Sequence, residues 1–146
     1  MFNLLPIIVA ALIPTIVGFI YYNPKVLGTA WMKELGKTEA ELTEGMNMPL
    51  VMGLSLLLSF FLSFGTNVVV EIMHRNVDAA GTVLTQSTHT LGHGMFHGFV
   101  FGMMFIVPVI VMNAMYERKS WKLILINCGY WLLTLTLMSG LLDVWN

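Results

Sequence analysis

Charge and cysteine are both scarce in this chain. Its 146 residues carry seven Lys and Arg against eight Asp and Glu, for a net charge of -1 and a charged fraction of 10%. So few cations leave no basic surface able to neutralise several phosphates, which excludes nucleic acid as a partner. The single cysteine, Cys128, excludes an intrachain disulfide and, set in an apolar stretch, reads as a small buried hydrophobe. The chain also lacks an HExxH motif, a phosphate-cradling glycine loop and a recognisable nucleophile-base pair. Low-complexity tracts and repeats of about 20 to 50 residues are missing too, and with them the architectures they would signal.

Apolar side chains fill the space. They make up 57% of the sequence, and the mean hydropathy is +0.79, outside the balance of a soluble domain. A membrane span needs about 20 apolar residues, because a helix rises about 1.5 Å per residue through a hydrocarbon layer about 30 Å thick. Four stretches qualify, about 4–22, 49–73, 89–115 and 123–142, within a single transmembrane domain over 1–146. Pro49 suits the first turn of its helix, where its missing amide would have had no partner. Pro14 and Pro108 fall inside spans and are expected to kink them. The first span has neither a cationic lead nor a small-residue cleavage pattern, so it is expected to be a permanent helix rather than a signal peptide.

The predicted fold is all-α: an integral membrane four-helix bundle. Its first loop, 25–45, carries Leu27, Trp31 and Leu35 at helical spacing opposite Lys33, Glu34 and Lys37, the pattern of a short amphipathic helix lying at the interface, with Trp31 as anchor. Thr38 followed by Glu41 has the form of a capping box. Lys25, Lys33, Lys37, Arg118, Lys119 and Lys122 fall on one side of the four spans and Arg75 on the other. The positive-inside rule then makes the first and third loops cytoplasmic and puts both termini outside.

Two segments carry a family resemblance. "GFIYYNPKVLGTAW" holds Tyr22, Asn23 and Pro24 followed by Gly28 and Trp31. "NAMYERKSWKLILINCGYW" holds Asn113, Tyr116, Glu117 and Arg118, then Trp121, Asn127, Gly129 and Tyr130. With these motifs the chain resembles, over nearly its whole length, a bacterial membrane-protein family known as domain of unknown function 1761. The resemblance implies four membrane helices in the bacterial inner membrane and supplies no activity or catalytic residue. The histidines of the third span are richer than the family pattern leads one to expect.

Those histidines are the chain's most unusual feature. In "THTLGHGMFHGFVFG", His89, His93 and His97 recur every fourth residue. On a helix they share an arc of about 80° while spreading about 12 Å along the axis, so a neighbouring pair can hold one ion but all three cannot. A metal centre therefore needs a second helix, and Glu71 with His74 three residues later is the natural supplier. The candidate set is Glu71, His74, His89 and His93, with His97 deeper as a proton acceptor or outer support, and zinc or another transition metal as the ion such a set would take. The competing readings are hydrogen-bonded structural histidines and a proton-responsive role, since imidazole in general titrates near neutrality.

Gly94, Gly98 and Gly102 repeat at the same spacing and mark a close helix-packing face, whose occupant is expected to be the second span or another copy of the chain. Near the cytoplasmic ends, Asn113, Tyr116, Glu117, Arg118 and Asn127 are expected to form an interhelical polar cluster with Tyr22 and Asn23. Its first reading is hydrogen-bonded glue, and its second a ligand vestibule.

A non-catalytic accessory or structural component of an oligomer or larger membrane assembly ranks first as a function, with the lipid bilayer and other membrane proteins as partners. Behind it stand a metal-ion or proton-handling transporter and a metal-dependent membrane enzyme, both using the His-rich site at the outer face. Haem held by two histidines is a weaker variant of the same idea.

Overall fold

The computed structural model describes the backbone of residues 4–73, 76–77, 80, 83–84 and 89–145, and the side chains of these residues except 71–73, 76–77 and 83–84. It is built of helices, with one two-residue antiparallel ladder in the second loop that pairs Asn76 with Leu84 and Val77 with Val83. Among the described residues, four helical segments are long and apolar enough to cross a membrane: Leu4–Tyr21, Met48–Val70, Leu91–Tyr116 and Trp121–Trp145.

The first segment is two helices, α1 (Leu4–Ala10) and α2 (Ile13–Tyr21), parted at Ala11 and Leu12. Pro14 explains the break: it sits in the first turn of α2, where its missing N–H costs nothing, and it cannot continue α1. A π-turn over Pro24–Gly28 leads into α3 (Thr29–Leu35). Gly28 is required there, since a Cβ would stand 2.1 Å from the Tyr22 carbonyl oxygen. The capping box is present, with Thr38 and Glu41 bonded reciprocally at the start of α4 (Glu39–Thr43).

After α5 (Met48–Met73) comes the third segment, again divided: α6 (Leu91–Phe101), a π-segment over Gly102–Ile106, and α7 (Val107–Tyr116). The π-segment lies immediately before Pro108, and its wider hydrogen-bonded turns absorb the proline that an unbroken α-helix would reject. The chain ends in α8 (Trp121–Trp145).

α8 is the hub. Half of its membrane-length window is buried, against 11% for that of α5, and α1, α2, α3, α5, α6 and α7 all pack on it, α6 most extensively. Ile7, Ala10, Met138 and Leu142 form a fully buried cluster where α1 meets α8. Lipid tails are as apolar as these side chains, so in a bilayer such a cluster contributes by close packing and not by escape from water.

Polar groups point inward and apolar groups outward. On α5, Ser59, Ser63, Thr66 and Asn67 are buried, whereas Leu58 and Phe61 are 65% and 59% exposed. That inversion suits lipid surroundings and would be costly in water. Ser63 donates to the Ile7 carbonyl at 2.8 Å, pinning α5 to α1. Three tyrosines pin the first span to α8: Tyr21 donates to the Ile126 carbonyl, Tyr22 to Asn127 Oδ1, and Tyr130 to the Pro14 carbonyl at the helix break.

Candidate functional site

The chain's ionisable chemistry converges where α6 begins and α8 ends. Thr90 starts α6 as its N-cap, its hydroxyl accepting from the His93 N–H at 3.2 Å. The cap fixes the first turn of α6, so that His89 precedes it and His93 and His97 follow on the side turned to α8.

Glycine permits the approach. A Cβ on Gly94 would stand 2.4 Å from Asp143 Cβ and one on Gly98 would stand 2.3 Å from the Leu135 carbonyl oxygen. A Cβ on Gly102 would meet Leu132 at 2.9 Å. The occupant of the glycine row is therefore α8, not the second span or another copy as the spacing alone had suggested. Only hydrogen at these three positions lets the α6 and α8 backbones come this close.

Asp143 is the pivot. Its carboxylate is completely shielded, with His89 Nδ1 2.8 Å from Oδ1 and the Thr90 N–H donating to Oδ2 at 3.2 Å. His93 Nδ1 stands 3.8 Å from Oδ2, close enough for attraction but too far for a direct hydrogen bond. One turn deeper, His93 Nε2 and His97 Nε2 are 3.1 Å apart, their rings edge to face. A chain of groups thus runs from the buried carboxylate through His93 to His97.

Of the expected metal set, the side chains of His89 and His93 are among those described. His89 pairs with Asp143, and His93 with His97, so the histidine read as a deeper outer support is part of the central pair. The physical reason is rotamer reach: at i and i+4, imidazoles on one helix face meet each other before either meets a third helix. His74 and the side chain of Glu71 lie outside the described residues. Among the described residues, no three His, Cys, Asp or Glu side chains converge as a metal would require. The metal set left out Asp143, although the end of the fourth span places it at the same face as the histidines, 54 positions from His89. Its signal was a carboxylate in the last turns of a span at the same end as the histidines.

At the opposite end the expected polar cluster divides. Tyr22 and Asn127 make the interhelical bond between the first span and α8, at 3.2 Å. Asn23 caps its own turn by accepting from the Lys25 N–H, and Tyr116 is 91% exposed. Arg118 adopts a left-handed conformation, φ 55°, and closes α7 with paired bonds from the Arg118 and Lys119 N–H groups to the Met115 and Ala114 carbonyls. Glu117 pairs with Lys119 at 3.8 Å.

Trp31, the expected interfacial anchor, packs at a tilt against Tyr22 with ring centroids 5.0 Å apart. A contact the sequence reading missed docks α3 on α8: the Ser120 hydroxyl donates to Glu34 at 2.5 Å while the Lys122 ammonium lies 3.5 Å from the same carboxylate. The hydroxyl first, then the ammonium, holds the Glu34 carboxyl below its ordinary value of 4.5.

A helical bundle with four segments that could each cross a membrane and a His–Asp cluster at one end defines a small helical protein of membrane-protein character. The chain belongs to the family described as protein of unknown function (DUF1761), whose pattern matches residues 5–142. No curated protein and no solved structure matches it.

Proposed function

We propose that this is a membrane protein of the bacterial inner membrane that handles protons at its outer face through the Asp143–His93–His97 chain. The observation that carries this reading is the 3.1 Å Nε2–Nε2 contact next to a fully buried carboxylate. Such a contact needs one N–H donor and one lone pair. If His97 donates, His93 carries its own proton on Nδ1, directed toward the negative Asp143. The reverse arrangement would turn the His93 Nδ1 lone pair toward that charge and is disfavoured. A proton arriving at His97 Nδ1 therefore releases the Nε2 proton to His93, and the resulting imidazolium lies beside Asp143 as an ion pair. Nothing in the sequence supports a covalent enzymatic step here.

The glycine row does not speak for a partner in the accessory reading, because it is filled by the chain's own α8. Contacts with lipid, a second copy or another membrane protein would then use the exposed outer faces of α5 and α7.

One alternative has an observation of its own. Two tetrahedral metal–nitrogen bonds of about 2.0–2.1 Å hold their nitrogens about 3.3 Å apart, close to the His93–His97 separation. The deciding experiment is proton flux into dye-loaded liposomes containing the full chain, with and without added zinc. His97→Ala and Asp143→Asn should each lower flux at least fivefold in metal-free buffer. Flux equal to that of protein-free liposomes in the parent protein would overturn the proposal.

A further inference from the structure

Two cavities, one midway along the bundle and one at the end remote from the histidines, share lining residues. One, of about 810 Å³, lies among α2, α5, α7 and α8, with Phe19, Leu58, Leu62, Val109 and Trp131 on its walls. The other, of about 830 Å³, lies at the helix ends between Tyr22, Trp31, Asn113, Lys119 and Asn127. Ser55 of α5 and Ile110 of α7 line both. The joint space exists because α5 and α7 each pack on α8 and make little contact with one another.

Its two halves differ in chemistry in the order an amphipath presents. From Leu62 to Val51 on α5, and from Ile106 to Glu117 on α7, the lining residues span eleven positions, about 16 Å of helix. The deep half is walled by aliphatic and aromatic side chains. The outer half offers donors in the Asn113 amide and the Asn127 amide nitrogen, beside a Lys119 ammonium that is paired with Glu117 of the same wall. Asn127 Oδ1 is already engaged by the Tyr22 hydroxyl, and among the described residues its nitrogen has no acceptor. Each half lies within the range of about 300–1,000 Å³ over which cavities enclose a small ligand. The deep half accordingly suits one alkyl or prenyl chain.

We infer that this joined cavity binds a single-chain amphipath whose head carries acceptor oxygens, a carboxylate or a ring carbonyl. The tail lies along Val109, Leu58 and Trp131, and the head oxygens accept from Asn127 and Asn113. A head of this chemistry answers the Asn127 and Asn113 amides, on the side of the mouth away from the Glu117–Lys119 pair. This site is independent of the proton chemistry at the other end of the bundle.

The test titrates the full chain in lipid nanodiscs with labelled oleate and with a decyl-tailed quinone, using dodecyltrimethylammonium as competitor. Saturable binding of one molecule per chain is expected for at least one oxygen-headed probe, and the probe that binds identifies the source of the oxygen. Val109→Trp, which fills the tail half from a partly exposed position, should weaken it at least tenfold. Asn127→Leu should weaken it at least fivefold, with helicity and melting temperature confirming that both variants fold. Uptake of both probes that rises without saturation, as ordinary lipid partitioning does, would overturn the inference. So would saturable binding that neither variant changes, or equal competition by the ammonium amphipath.

Discussion

Asp143 and His89 join the last turn of α8 to the start of α6, 2.8 Å apart, with the carboxylate wholly out of solvent. The aspartate also accepts the Thr90 N–H, so one side chain holds both the N-cap residue of α6 and the histidine before it. A buried carboxylate in this position is stabilised only while its donors are in place.

Asp143→Ala should therefore lower stability by about 1.5–3 kcal/mol, the usual net worth of hydrogen bonds to a charged group. Asp143→Asn, which keeps an oxygen for one donor, should lose less. Thermal melts of both variants in lipid nanodiscs check the order. Equal melting temperatures for parent and Asp143→Ala would show that the pairing contributes nothing to the fold.

The glycine row makes a contrast within one family of substitutions. Gly98→Ala places a methyl against the backbone of Leu135, which cannot swing aside, so a loss of about 1–3 kcal/mol is expected. Gly53 on α5 has nothing within 4 Å of the added carbon, and Gly53→Ala should stabilise by about 0.5–1 kcal/mol through reduced backbone freedom of the unfolded chain. Melting temperatures moving in the same direction for the pair would contradict the close approach of α6 and α8.

Acid should loosen the first loop. Because the folded Glu34 carboxyl is held below its ordinary value of 4.5, its contribution is fully present above that value. It is lost as pH falls through the depressed folded value and the carboxylate takes up a proton. Hydrogen exchange over α3, corrected for the intrinsic rate, should accelerate on going from pH 6 to pH 3, and Glu34→Gln should remove most of that difference. High salt should weaken the Lys122 part, since both partners reach solvent. An α3 exchange profile indifferent to both pH and the substitution would separate α3 from α8.

Arg118 holds a left-handed backbone that ordinarily falls to glycine. Gly36 does the same work at the end of α3, with equivalent bonds from the Gly36 and Lys37 N–H groups. Arg118→Gly should consequently raise stability by about 1 kcal/mol. A fall instead would mean that the arginine side chain contributes more than its backbone costs.

How much of this was legible in sequence follows from the range of each signal. The helical class, the capping box at Thr38 and the prolines as helix breakers are written within a few residues, and local patterns capture them. The π-segment over Gly102–Ile106 has no such signature, although Pro108 marks the neighbourhood. The glycine spacing announced a close approach without naming the partner, because a smooth face fits any helix equally well. The span ends bring Asp143 to the histidines' face without naming its pairing with His89, whereas Glu34 reaches Ser120, 86 positions away, with nothing in either neighbourhood naming the other. Tyr116 and Arg118 were grouped with Asn127 by proximity in the chain. The turn at Arg118, which ends α7, leaves the Tyr116 side chain almost fully exposed.

Metal content is the sharpest discriminator between the two chemistries open to His93 and His97. A shared proton needs one lone pair and one N–H between the facing nitrogens, whereas a metal needs both lone pairs and therefore displaces that proton. Protein purified gently without a polyhistidine tag should, on the proton reading, carry less than about one metal per ten chains, an occupancy incompatible with a built structural site. Chelation should then leave its melting temperature unchanged. His97→Ala should alter the nitrogen resonances of His93, the partner that loses a hydrogen bond, and not metal content. One zinc, iron or copper per chain in the parent protein, lost in both His93→Ala and His97→Ala, would instead make the pair a ligand set. It would also assign the remaining coordination to residues beyond those two.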